Sequence, residues 1–168
     1  IGGQTSSAID PSLLSGVTLR AIGPTSVGGR IDDFAVGRAP GKPDAVYVAT
    51  ASGGVFKSVN GGVSWVPVFD KVDAMMSIGA IAVSKSNPNV VWVAAIGHLF
   101  TPNAERGVYK TADAGRTWKR VLHAGETTGA IDLVADPRNP NVLYAALYQA
   151  LRHPWRLEDG GPESGVFK

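Results

Sequence analysis

The chain has 168 residues, of which 44% are hydrophobic and only 18% charged, with 21 Gly, 11 Pro and no Cys. That length suits one domain with a sizeable core, and the missing cysteines exclude disulfides, thiolate metal sites and thiol nucleophiles together. A net charge of +2 with scattered Lys and Arg argues against a nucleic-acid partner, and no apolar run approaches the roughly 18 residues of a membrane span.

In chain order, residues 1–16 read as an N-terminal extension and residues 17–22 as a lone strand. The chain opens on Ile1 without a basic-then-apolar leader, which suggests either a removed export signal or an excerpt. Three similar units follow, at about residues 29–70, 79–123 and 129–168. Their first strands open Gly29-Arg30-Ile31, Gly79-Ala80-Ile81 and Gly129-Ala130-Ile131, a spacing of 50 both times. A turn comes next in each: Lys42-Pro43-Asp44, Asn87-Pro88-Asn89 and Asn139-Pro140-Asn141. Pro presets φ and Asn or Asp tolerates turn geometry. Second strands AVYVAT (45–50), VVWVAA (90–95) and VLYAAL (142–147) are β-branched and aromatic runs bounded by turns.

Third strands are Gly54-Val55-Phe56-Lys57, Gly107-Val108-Tyr109-Lys110 and Gly165-Val166-Phe167-Lys168. After the first two the chain repeats itself most plainly. Ser58-Val59-Asn60-Gly61-Gly62-Val63-Ser64-Trp65 returns 53 residues later as Thr111-Ala112-Asp113-Ala114-Gly115-Arg116-Thr117-Trp118. Asn60 or Asp113 accepts backbone amides across this turn, Gly62 and Gly115 supply angles a side chain forbids, and Trp65 and Trp118 pack beneath the loop. Fourth strands follow at 64–69 and 117–122.

Four short antiparallel strands in about 50 residues make one β-propeller blade, and the expected fold is all-β, an incomplete ring of about three blades with the last truncated. Helix is expected only in short turns, mainly before Val17 or within the insert at 149–164. Lys168 occupies the place of Lys57 and Lys110, so the parent chain is expected to continue into a third copy of the turn. The strand at 17–22 would then complete a final blade.

The motif Ser/Thr-x-Asp/Asn-x-Gly-x-Ser/Thr-Trp resembles the Asp-box, or bacterial neuraminidase repeat, of sialidases, sortilin-type receptors, xyloglucan-degrading enzymes and a photosystem assembly factor. In that resemblance Ser58, Asn60, Gly62, Trp65, Thr111, Asp113, Gly115 and Trp118 are structural. Ile22-Gly23-Pro24, Gly97-His98-Leu99-Phe100 and His153-Pro154-Trp155 look like a narrower group, large exported bacterial proteins with sortilin-like propellers. The resemblance implies an exported protein, periplasmic, cell-surface or secreted. Such proteins carry a complete blade between segments like 77–81 and 91–98, so a repeat has been lost near 86–90 on this reading.

Chemistry is sparse. Of the three arginines a sialidase offers its substrate carboxylate, only Arg30 has a counterpart. The catalytic Asp of xyloglucan-active relatives falls on Ala51. Asp32 and Asp132, aligned on first strands, could line a central channel as ligand groups or an acid–base pair, with Ala82 as their counterpart in the second unit. His98, His123 and His153 have no metal-ligand spacing, and no cofactor motif occurs. The remaining candidates are loop residues on one face, where propellers build recognition: His98, Arg152, Trp155 and Arg156. Two functions stand side by side. One is a non-catalytic recognition or scaffold propeller that binds protein or peptide, or a glycan, alongside the remaining blades of its parent. The other is part of a glycoside hydrolase whose catalytic residues lie elsewhere.

Overall fold

The computed structural model describes residues 30–73, 76–139 and 141–168. The proposed strand at 17–22 and the extension before it lie outside these residues.

Three antiparallel sheets follow one another along the chain. The first orders β1 (Ile31–Gly37), β2 (Ala45–Thr50), β3 (Val55–Ser58) and β4 (Val66–Pro67) side by side. The second repeats this with β5 (Ser77–Val83), β6 (Val91–Gly97), β7 (Gly107–Thr111) and β8 (Lys119–Leu122). In the third, the long β10 (Leu143–Arg152) pairs with β9 (Thr128–Ala135), with β12 (Gly165–Phe167) near one end and with β11 (Leu157–Asp159) at the other. Among the described residues, no strand stands on β12 as β4 and β8 stand on β3 and β7. The chain is therefore an all-β run of propeller blades without a closed ring, and its first strands β1, β5 and β9 lie side by side.

Two findings differ from the sequence expectation. The single described helix is α1 (Asp70–Asp73), which joins the first sheet to the second and lies in neither place anticipated for helix. The insert at 149–164 contains a strand hairpin: β10 runs on through Arg152 and turns back as β11, because a hairpin satisfies its backbone groups by pairing. The turn at 84–90 closes normally. Ser84 N donates to Val90 O and Val90 N to Asn87 O, as Asp136 N does to Val142 O and Val142 N to Asn139 O in the third sheet.

The middle sheet is buried on both faces. In β6, Val91, Val93 and Ala95 pack toward the first sheet with Tyr47, Val55, Phe69, Ile78 and Tyr109. The alternate residues Trp92 and Ala94 join Val108, Leu133, Ala145 and Leu147 toward the third. Period-2 alternation is thus apolar on both sides, as it must be where sheets stack. Apolar residues at the matching positions of the outward faces stay exposed, among them Phe34 at 67% and Val166 at 77%. Each sits where a neighbouring sheet buries its equivalent elsewhere in the chain.

Register corrects the alignment of the first strands. Asp33 lies opposite Ala49, Ala80 opposite Ala94 and Asp132 opposite Ala146, while Asp32, Gly79 and Ile131 are skipped at bulges. The equivalent of Asp132 is therefore Asp33, not Asp32, and their counterpart is Ala80 rather than Ala82. The repeated glycines misled because each answers a different steric demand. A Cβ on Gly79 would lie 2.6 Å from Ile131 O, and one on Gly129 2.4 Å from Ile96 O. Both permit close backbone approach between the second and third sheets.

The repeated turns have one geometry. Ser58 Oγ donates to Asn60 Oδ1 and accepts from Gly62 N, as Thr111 Oγ1 does with Asp113 Oδ1 and Gly115 N. The fourth-strand amides close the loop: Ser64 N to Asn60 Oδ1 at 3.0 Å and Thr117 N to Asp113 Oδ1 at 2.9 Å. Gly62 and Gly115 both take positive φ, 86° and 92°. Ala114 takes the left-handed φ of 61° that Gly61 takes in the first turn. It is held there by its N–H to Asn89 O and by Lys57 Nζ on its carbonyl.

The turns differ in charge. Asn60 Nδ2 donates to Ser64 Oγ, whereas Asp113 Oδ2 accepts from Thr117 Oγ1 at 2.6 Å. The bonds from Thr117 and then Thr111 hold the Asp113 carboxyl well below the usual carboxylate range. A depressed folded pKa means that its stabilisation is complete above about pH 4 and is lost as pH falls through the folded value. We expect Asp113→Asn to lower the unfolding midpoint at neutral pH and to flatten the acid limb of its profile below about pH 4. Identical acid limbs for the two proteins would defeat this assignment.

Candidate functional site

The candidate site is where two long connections meet. The segment from Gly97 to Arg106 links β6 to β7, and the tight turn at 153–156 links β10 to β11. Arg152 N donates to Leu99 O at 2.7 Å, joining the two, and His153 N donates to Arg156 O to close the hairpin.

Beneath them lies Arg106, fully buried and chosen by no feature of the sequence. Its guanidinium donates to four carbonyls: Ala150 O in β10 at 2.8 Å, Thr127 O just before β9 at 2.9 Å, and His98 O at 2.7 Å and Thr101 O at 3.3 Å in the loop. Burial pushes its pKa below the usual arginine value. Asn103 completes the loop, with Nδ2 donating to His98 O and Thr101 O and Oδ1 accepting from His98 N. His98 is thus fixed by its main chain. At the equivalent position of the third sheet, Ser164 Oγ accepts from Gln149 N, and Glu163 accepts from Thr128 Oγ1, pinning the far end of the insert.

On the hairpin, Trp155 is 77% exposed, its ring stacked on His153 with centroids 5.5 Å apart and planes 19° apart. Glu158 Oε1 contacts both His153 Nε2 and Arg156 Nη2. Arg156 and Arg152 are both exposed. Trp155, Arg156 and Arg152 therefore share one outward hairpin, and the Arg152 amide ties it to the loop bearing His98. The cavities lie elsewhere, in the grooves between neighbouring sheets. The platform is exposed and lines none of these cavities, which suits an extended partner more than a small molecule held in a cleft.

The channel acids do not join it. Asp32 pairs with Arg30 at 2.6 Å. Asp33 is committed to the backbone: Oδ1 accepts from Phe34 N at 2.8 Å and Oδ2 from Ile81 N of the second sheet at 2.9 Å. Asp132, exposed, accepts from Leu133 N at 2.8 Å in the same way. In both strands this carboxylate directly follows the residue skipped at the bulge and accepts the amide of the next residue. Among the described residues no group of three or more His, Asp or Glu is arranged to hold a metal ion.

No family model matches the chain, and no curated protein does. Among solved structures the chain is similar to the GH74 enzyme of Niastella koreensis, with 18% identity and a TM-score of 0.53. The match covers 70% of this chain and only 17% of that one. At such identity the likeness is one of fold, and it agrees with the reading of the three sheets as consecutive blades of a β-propeller.

Proposed function

We propose that this chain is part of a recognition or scaffold propeller, exported from the cell, that binds a protein or peptide through the Trp155 hairpin and the neighbouring loop. The observation that carries the reading is the exposed indole, stacked on His153 and flanked by Arg152 and Arg156. An aromatic face beside guanidinium groups offers apolar contact and carboxylate recognition together. On this reading the two repeated turns are Asp-boxes with a purely structural role, and export follows from the sortilin-like resemblance alone.

Trp155→Ala tests the proposal. Against peptide and glycan arrays, the variant should bind its best peptide at least about tenfold more weakly. Its unfolding free energy should stay within about 0.5 kcal/mol of the parent's, since the ring is mostly in solvent. A parent that binds no peptide, or a variant that binds equally well, rejects the reading.

A second reading, part of a glycoside hydrolase, draws on the fold likeness to the GH74 enzyme. Turnover of chromogenic glycosides that vanishes on replacement of one carboxylate would favour it over the first.

A further inference from the structure

Between the second and third sheets lies a cavity of about 300 Å³, lined by Trp92, Lys110, Leu122, Asn141, Leu143 and Phe167 among others. The same place between the first and second sheets is filled. There the turn ending in Trp118 reaches across from the second sheet and seats its indole on Phe69, with ring centroids 5.1 Å apart. Tyr109 meets Phe69 edge-on at 5.3 Å. Three polar contacts fix that turn. Trp118 Nε1 donates to Val68 O at 2.7 Å, Lys57 Nζ to Ala114 O at 3.1 Å, and Ala114 N to Asn89 O at 2.9 Å.

Every one of these groups has a counterpart around the cavity. By repeat position, Leu122 stands for Phe69, Phe167 for Tyr109, Val121 for Val68, Lys110 for Lys57 and Asn141 for Asn89. All five line the cavity. Lys110 is already poised over Trp92 at 5.5 Å from its centroid, as Lys57 is over Tyr47 at 5.4 Å. Beside the cavity, β12 pairs with β10, whereas β3 and β7 each carry a fourth strand on their other edge. What fits is therefore a turn with an acceptor at its third residue and Trp at its eighth, continuing into a short strand.

We propose that the cavity and the outer edge of β12 together form an acceptor site for one kind of segment, an extended peptide of the form Ser/Thr-x-Asp/Asn-x-Gly-x-Ser/Thr-Trp followed by a short strand. The indole seats on Leu122 and Phe167 and donates to Val121 O. Lys110 and the Asn141 carbonyl hold the turn, and the strand adds antiparallel to β12. Main-chain pairing supplies general affinity and the Trp supplies selectivity, as in other strand-addition sites. The site is separate from the Trp155 hairpin, so the two proposals fail or stand independently.

A fluorescein-labelled peptide with the sequence of residues 111–122 provides the test, titrated with the 168-residue chain and read by anisotropy. We expect saturable one-to-one binding, weakened at least about tenfold when the peptide carries Ala for Trp118. Lys110→Ala in the chain should weaken it as well. In a second measurement the same twelve residues are appended after Lys168, which should raise the unfolding midpoint, and the Trp-less extension should raise it less. Failure of the peptide to saturate together with an unmoved midpoint, or indifference of both readouts to the Trp, overturns the proposal. So does light scattering that finds a stable dimer closed over the β12 edge, since a second copy would then be the occupant.

Discussion

We expect Trp118→Ala, which removes a partly buried ring, to lower the stability of this chain by about 3 kcal/mol and Trp65→Ala by about 1 kcal/mol, although the two residues end the same motif. The difference lies in the neighbouring sheet. Trp118 crosses to the first sheet, packs on Phe69 and spends its indole N–H on Val68 O. Trp65 has no preceding sheet among the described residues and is 41% exposed. Chemical unfolding of both variants decides the point, with Trp118→Phe keeping most of the ring contact and losing about 1 kcal/mol for the hydrogen bond. Equal losses for the two alanine variants would mean that each Trp anchors only its own loop.

Arg106→Met removes the charge but keeps an apolar side chain, and we expect it to destabilise by at least about 3 kcal/mol. Four carbonyls lose a charged donor, two in β10 and the segment before β9 and two in the loop bearing His98, and three of them keep only a neutral one, from Ala150 N or Asn103 Nδ2. Arg106→Lys should not restore stability, because a single ammonium cannot span the two pairs that the guanidinium fork serves. Hydrogen exchange distinguishes this from general weakening. The Arg152 amide, bonded to Leu99 O, should lose protection before the amides of β6 do. Uniform loss across both sheets would make Arg106 an ordinary core residue and not the tie between loop and sheet. A loosened loop would also reduce binding at the Trp155 hairpin without changing any residue there.

These two cases mark how far the sequence is legible. The acceptor and glycine of each repeated turn could be read, because their geometry is local, but Trp118 crosses to the first sheet and Trp65 stays 41% exposed where both were expected to pack beneath their own loops. A hydroxyl, an acceptor two residues on and a glycine at the fifth place satisfy one another within eight residues. Strand order within the first two sheets was equally plain, since turn residues and β-branched runs need no distant partner to declare themselves. The register of the first strands was not. Gly79 and Gly129 look like one repeat position, yet each is small because a different neighbouring strand approaches it. The bulges that bring Asp33, and not Asp32, into line with Asp132 follow from pairing with β2 and β10.

By itself, then, the sequence determined an all-β chain of repeated four-strand units and the internal form of their turns, because short-range backbone constraints dictate both. Tertiary structure alone decided which faces of those units are buried. It seated Trp118 and left Trp65 half in solvent, and it turned the insert at 149–164 into a hairpin presenting Trp155. It also placed Arg106, whose counterparts by position are Gly53 and Ser164, under a loop whose His98 and Thr101 carbonyls it shares with Asn103. A buried cation without a carboxylate leaves no pattern along the chain, because the groups that hold it are main-chain carbonyls, which every residue carries.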